Sequence, residues 1–236
     1  MQDLKDYRDK ELKSYVFANL VVLLYLEGCF NWLWSLDAKS VEILKLFIPF
    51  LAGLSVIYVY IFISDSLLPS DYKTKIVFWR SLQPGYKVFS NMAKGDLDGR
   101  FGLEQLLNKY ATIYENMPVD KEQKSKYENQ HWYKIYGKHR GNSMIEGSSK
   151  DYLLCRDLTS ITVILSFFYL LLYCALLGHC VNCKFLILLI AEYLILIFAS
   201  RKKAKRFVYN VIAVDINHKD KKPEPKEFRV YLRNER

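Results

Sequence analysis

The chain has 236 residues, 51% hydrophobic and 25% charged, with 34 Lys and Arg against 25 Asp and Glu for a formal net charge of +9. No GxxxxGK[ST], GxGxxG, HExxH or GxSxG occurs, so the usual phosphate-loop, dinucleotide and hydrolase signatures are excluded, and the chain reads as a non-enzyme without a cofactor. A mean hydropathy of −0.02 conceals strong segregation, because very polar segments dilute four apolar runs at 15–36, 41–64, 157–177 and 184–200.

The N-terminal tail, 1–14, is charge-balanced, with four basic and four acidic residues. The run that follows is too long for a cleavable signal, and no small-x-small site precedes a polar start. Glu27 lies slightly outward of its middle, and Trp32 and Trp34 come near its end, where indoles favour a membrane interface. A short turn at 35–40 leads into the second run, which begins amphipathically with Glu42 and Lys45 and carries Pro49 and Gly53 inside. Such breakers are tolerated within a membrane when neighbouring helices satisfy the freed backbone.

The central segment, 65–156, holds 15 basic residues and far more aromatics than a solvated linker carries. Residues 73–80 read as a short helix stopped by Gln83, Pro84 and Gly85. Leu103, Leu106, Leu107, Tyr110 and Tyr114 recur at three-to-four spacing and predict a single helix over 103–113. Met117, Pro118, Val119 and Asp120 restart the chain, and a third helix over 121–136 has Tyr127, Trp132 and Tyr136 as its sparse apolar face. After Gly141, Asn142 and Ser143 a helix is expected to pass through Tyr152 into the third run without a break.

The third run is uncharged over 160–178, and the fourth contains only Glu192 between its ends. The tail, 201–236, opens on Arg201, Lys202, Lys203, Lys205 and Arg206. Phe207, Val208, Val211, Ile212 and Asp215 fit a helix face, although the density of Val, Ile and Tyr also permits a strand. Residues 219–225 break regularity, and 228–232 alternate like a short strand. No internal repeat relates the two pairs of runs.

Of the basic residues, 4 lie in 1–14, 15 in 65–156 and 12 in 201–236, leaving only Lys39, Lys45 and Lys184 for the two short turns and their flanks. Basic residues near span ends stay cytoplasmic. The expected architecture is therefore an all-α membrane protein. Four transmembrane helices form two hairpins (15–64 and 157–200), with a mainly helical cytoplasmic segment between the pairs (65–156) and both the N-tail (1–14) and basic C-tail (201–236) cytoplasmic. The address implied is a membrane crossed several times, and the resemblance described below implies a bacterial inner membrane.

Glu27 and Glu192 are the sharpest candidates for chemistry, since a carboxylate at bilayer depth costs at least ~2.5 kcal/mol unless it is paired, hydrated or protonated. One reading is an acidic lining for a cation or proton path in a homo-oligomer. The other is a neutral glutamic acid bonded to Tyr25, Tyr169, Tyr173 or Tyr193 within the bundle. Trp79 and Arg80, with Trp132, Tyr133 and Tyr136, are candidates for docking a cytoplasmic protein or ribonucleoprotein, because Trp, Tyr and Arg dominate interface hot spots. Arg201, Lys202, Lys203, Lys205 and Arg206 are read first as contacts to anionic lipid, with direct nucleic-acid binding the lesser reading.

Other clusters carry less. Cys180 and Cys183 have CxxC spacing, but with His179 they supply three of the roughly four ligands a structural zinc needs. A disulfide between them stays open as an alternative to two apolar thiols. His131 and His139 are eight apart on a basic, aromatic stretch that Gly137 is expected to interrupt. Asp96 and Asp98 lack the further acidic positions of an EF-hand and are read as a turn.

Trp79, Arg80, Pro84, Gly85 and Phe89, then Asp96, Asp98 and Arg100, then His131, Trp132, Tyr133, Tyr136 and His139, and finally Tyr152, Arg156 and Asp157 together resemble small bacterial membrane proteins. Among these are membrane-spanning effectors of anti-phage defence systems, including retron-associated ones. The resemblance covers roughly residues 65–160 and includes no catalytic motif. It implies a protein held inactive by a partner and released on infection to permeabilise the inner membrane. A membrane-anchored scaffold that recruits a partner without permeation is the alternative expectation.

Overall fold

Two long helices organise the chain, and their sequences explain why both form. The computed structural model describes residues 2–26, 68–79, 81–97, 99–171 and 181–218. Within these, the helices are α1 (Gln2–Leu26), α2 (Ser70–Phe78), a 3-10 turn at Pro84–Lys87, α3 (Val88–Ala93), α4 (Leu103–Lys109), α5 (Ala111–Glu115), α6 (Lys121–His139), α7 (Ser143–Leu171) and α8 (Cys183–Asn217). There are no strands among the described residues, so the all-helical expectation holds for them.

α7 and α8 are the two described helices long and apolar enough to cross a membrane. At 1.5 Å per residue their 29 and 35 residues extend roughly 43 and 52 Å, against ~30 Å of hydrocarbon. Both therefore project well past any apolar layer they occupy. Phe167, Ile187, Leu194, Ile195 and Phe198 stand exposed on them. The other two predicted spans are not described in full. α1 contains the opening of the first run, and the rest of that run and the whole second run lie outside the described residues.

α7 and α8 run antiparallel. At their crossing the Thr159 and Ser200 hydroxyls meet at 3.1 Å, both fully buried, and Ala204 one turn on is buried too. Small residues let the two backbones approach, as in other helix pairs that pack in an apolar setting. Thr159, Ser160, Thr162 and Ser166 bond back to the carbonyls four residues earlier, which satisfies their hydroxyls without breaking the helix. α1 packs on this pair through Leu12 and Val16 against Ile161. At the far end Tyr169, Phe185 and Leu189 form a small core, and Asn182 caps α8 by accepting from the Lys184 N–H at 3.1 Å.

The remaining helices wrap the other end of α8. Its face there is buried almost all round: Phe207, Val208, Val211 and Ile212 pack against Phe89, Met92, Leu106 and Trp132. The open choice between helix and strand beyond residue 206 is thereby decided for helix. Lengthening an existing helix avoids the costly nucleation step, and packing on every side outweighs the β-preference of the Val and Ile residues. The predicted alternation at 228–232 lies outside the described residues.

Three boundaries differ from expectation for identifiable reasons. The predicted helix over 103–113 is two, broken at Tyr110 (φ −114°, ψ 24°), whose buried side chain turns inward to α8. Gly137 does not interrupt α6, which continues to His139. A glycine in a helix costs ~1 kcal/mol, a small sum beside the packing of Trp132 and Ile135. Asp120 starts that helix by accepting from the N–H groups of Glu122 and Gln123. The third deviation is α1, which begins at Gln2, so the N-tail and the start of the first run form one element.

Candidate functional site: a polar cluster between the long helices and a basic groove at their polar end

Glu192 is the only acidic side chain in the apolar part of α8, and it is partly buried against α1. The Tyr15 hydroxyl donates to its Oε2 at 2.5 Å and also meets Thr162 Oγ1 of α7 at 2.7 Å. Depth explains the meeting. The Leu26 carbonyl accepts from Asn182 Nδ2, so α1 and α8 share a level there. Eleven residues back along α1 and ten forward along α8 each cover roughly 15–17 Å. The partners foreseen for Glu192 were other tyrosines; Tyr169 instead accepts from the Asn182 N–H, and Tyr193 accepts from the Trp79 indole N–H at 3.0 Å. Tyr15 was overlooked because hydropathy puts the start of the first run at that residue, whereas the helix already runs from Gln2.

The Tyr15 and Thr162 hydroxyls have one proton each, and Thr162 Oγ1 also lies 2.9 Å from the Leu158 carbonyl. With Glu192 ionised, Tyr15 donates to the carboxylate. With Glu192 protonated, the acid donates to Tyr15, Tyr15 to Thr162, and Thr162 to Leu158. Both settings use the same heavy-atom positions. Beside them Asn19 is 3% exposed and donates to the Tyr15 carbonyl, while its Oδ1 has no hydrogen-bond partner.

A charged cluster marks where the polar end begins. Asp157, 1% exposed, accepts from Arg156 Nε and Nη2 at 3.1 and 2.9 Å, and lies 3.2 Å from Arg8 Nη1 and 3.8 Å from Lys73 Nζ. One carboxylate thus joins α1, α2 and α7. Arg156 also donates to the Ser70 hydroxyl, and Arg201 Nε donates to the Val77 carbonyl, so α2 is held from both sides. At the end of α2, Trp79 has φ +53°, a strained value for a bulky residue. Its ring is exposed, and its indole N–H reaches Tyr193 of α8.

Compared with protein-family models, curated proteins and solved structures, the chain finds no match.

The five basic residues predicted to touch lipid are divided by the fold. Lys203 pairs with Asp151 at 2.6 Å, Lys205 pairs with Asp96 at 2.7 Å, and Arg201 holds Val77. Lys202 sits 4.6 Å over the Phe198 ring, and Arg206 is exposed. Lys202, Lys203, Lys205 and Arg206, with Arg100, Tyr209 and Met144, line an open groove of about 910 Å³. Asp96, in its wall, also accepts from the Tyr209 hydroxyl at 2.8 Å, and the hydrogen bond from Lys205 holds its carboxyl below the usual carboxylate range.

The predicted docking residues also separate. Trp132 is 4% exposed, stacked on Tyr136, and donates to the Val208 carbonyl; it belongs to the core and offers a partner no surface. Tyr136 is half-buried beside it, while Tyr133 and Trp79 are exposed. Glu27, Arg80 and Asp98 lie outside the described residues, as do Cys180 and His179. Cys183 is exposed at the start of α8. His131 and His139 do not converge: His131 packs on Tyr127, and burial lowers its pKa. His139 reaches Asp215.

Asp215 is a site that the sequence disclosed only as one position on a helix face. Its Oδ2 accepts from the Tyr110 hydroxyl at 2.7 Å and its Oδ1 lies 2.6 Å from His139 Nε2. Lys109 Nζ donates to its carbonyl at 2.9 Å, placing a cation at the C-terminal end of α8 where the helix dipole favours one. Burial, then the bond to Asp215, pushes the Tyr110 hydroxyl far up. Among the described residues no His, Cys, Asp and Glu group suited to a metal is present.

Proposed function

We propose that this chain is a membrane-embedded effector of a bacterial inner membrane, with both termini on the cytoplasmic side, that self-associates and makes the membrane leaky when its cytoplasmic helical layer is engaged. The observation carrying this reading is the Tyr15, Thr162 and Glu192 chain, set among apolar helices where an unsupported carboxylate costs at least ~2.5 kcal/mol. Its two proton arrangements suit a relay for protons better than a cage for a metal cation. The length of α8 gives support of another kind. One continuous helix carries both Glu192 and Asp215, so a partner acting on the cytoplasmic layer acts on a rod that enters the bilayer.

The test is proton flux into liposomes that contain the purified full chain, read with an internal pH dye under a potassium-diffusion potential. Glu192→Gln, which keeps the shape and removes the titrating proton, is expected to cut flux about tenfold or more. Tyr15→Phe is expected to do nearly the same. Equal flux in wild type and both variants rejects the reading. A second reading, a membrane-anchored scaffold, is favoured by Tyr133, which stands exposed on α6. Capture of one dominant cytoplasmic protein or ribonucleoprotein, abolished by Tyr133→Ala and accompanied by no flux, would select it.

A further inference from the structure

We propose that the groove between α8 and the turn before α4 is a binding site for the headgroup of an anionic phospholipid. The argument starts from spacing. Phe198, Lys202 and Arg206 lie four residues apart on α8 and form one stripe of its surface. Phe198 closes the apolar stretch, and its exposed ring continues the face made by Leu194 and Ile195. Lys202 is roughly 6 Å further along the helix axis and Arg206 roughly 12 Å. An interfacial layer is about 5–8 Å deep on each side of the hydrocarbon. An acyl chain resting on Phe198 therefore brings its phosphate to Lys202, with the rest of the headgroup facing Arg206.

Charge supports the same occupant. Among the described residues, five cations and one carboxylate line the groove: Arg100, Lys202, Lys203, Lys205 and Arg206 against Asp96. Lys203 and Lys205 are answered by Asp151 and Asp96. Lys202 and Arg206 have no carboxylate partner among the described residues, so the surplus sits on the stripe itself. Tyr209 and Asn210 add polar groups at the inner end, and Met144 forms part of the apolar wall. The groove holds one headgroup, with an aromatic ring at one end and a folded wall beside it. A nucleic-acid backbone is the competing polyanion, because basic residues continue past Asp96 to Lys87 and Arg201, and the test therefore sets a short RNA against the lipid.

This inference rests on α7 and α8 lying in a bilayer, and is independent of whether the protein conducts. The experiment is native mass spectrometry of the full chain in detergent micelles, titrated in parallel with phosphatidylglycerol and phosphatidylcholine. Wild type is expected to retain one phosphatidylglycerol preferentially. The pair Lys202→Gln and Arg206→Gln is expected to lose about thirtyfold of that preference, as ~1 kcal/mol per basic residue implies. Lys134→Gln with Lys138→Gln, which removes the same charge from the exposed face of α6, is expected to change it less than twofold. Equal retention of the two lipids, or an equal loss in the α6 pair, overturns the proposal. So does displacement of phosphatidylglycerol by a short RNA. A chain that stays monodisperse without detergent would instead defeat the membrane reading itself.

Discussion

Asp215→Ala is the most informative single change, because one carboxylate fastens three helices at the C-terminal end of α8. It removes the acceptor of the Tyr110 hydroxyl at 2.7 Å and the partner of His139 at 2.6 Å. Hydrogen bonds to a charged group are each worth ~1.5–3 kcal/mol. The His139 side chain is near the surface, at 12% exposed, and recovers part of its loss to water, whereas Tyr110 at 4% does not. A net cost of ~3 kcal/mol follows. Asp215→Asn keeps an acceptor for Tyr110 and loses the charge, for ~1 kcal/mol. Read by amide hydrogen exchange of the full chain in detergent, these become about 150-fold and fivefold faster exchange in α4, α5 and the last turns of α8. The outer half of α7 is expected to be unaffected. If Asp215→Ala speeds exchange in α4 and α5 less than about threefold, the carboxylate is not the tie and the reasoning fails.

Glu128→Ala should cost ~3 kcal/mol in a thermal melt, since Glu128 is 1% exposed and caps α3 by accepting from both the N–H and the hydroxyl of Ser90. Glu128→Gln should cost ~1 kcal/mol, and equal melting of the two variants would contradict that cap. Asp157→Ala removes the buried carboxylate that Arg8, Lys73 and Arg156 share, for ~3–5 kcal/mol; a loss below ~1 kcal/mol would show the cluster to be dispensable. Two of the described groups contribute to the response to acid. His131 has a lowered pKa from burial, then from Lys134, so the unfolded chain binds more protons just below 6.5 and stability rises with pH through that window. The Asp96 carboxyl is depressed below 3.8, so its contribution is complete at neutral pH and is lost as pH falls through the depressed value. His131→Phe should flatten the melting profile just below 6.5 and Asp96→Asn only at more acid pH; unchanged profiles would refute both.

Element type was legible wherever local pattern decided it. The Asp120 cap, the Pro84 turn and the uncharged stretch after Thr159 each name their structure, and the continuous helix through Tyr152 was foreseen. What escaped depends on partners distant in the chain. Trp132 looks the same in sequence whether it faces solvent or Phe207, and only the fold of α8 onto α6 takes it inside. Tyr15 and Glu192 are 177 residues apart, and their meeting follows from where α1 begins, which hydropathy does not report. The break at Tyr110 has no glycine or proline to announce it; the inward turn toward Asp215 makes it. The basic cluster after Ser200 was visible as charge, but which cations keep a local counter-ion was fixed by Asp96 and Asp151 on other elements.

The unbroken course of α8 has a mechanical corollary. Asp215 and Glu192 are 23 residues apart on one stiff shaft, a separation of roughly 35 Å. With the Thr159 and Ser200 crossing as fulcrum, swinging the inner arm by about ten degrees would sweep the tip near Asp215 through about 4 Å and displace the outer arm the opposite way by about 2 Å at Glu192. With Tyr15 held in place, a shift of that size exceeds the tolerance of its hydrogen bond to Glu192.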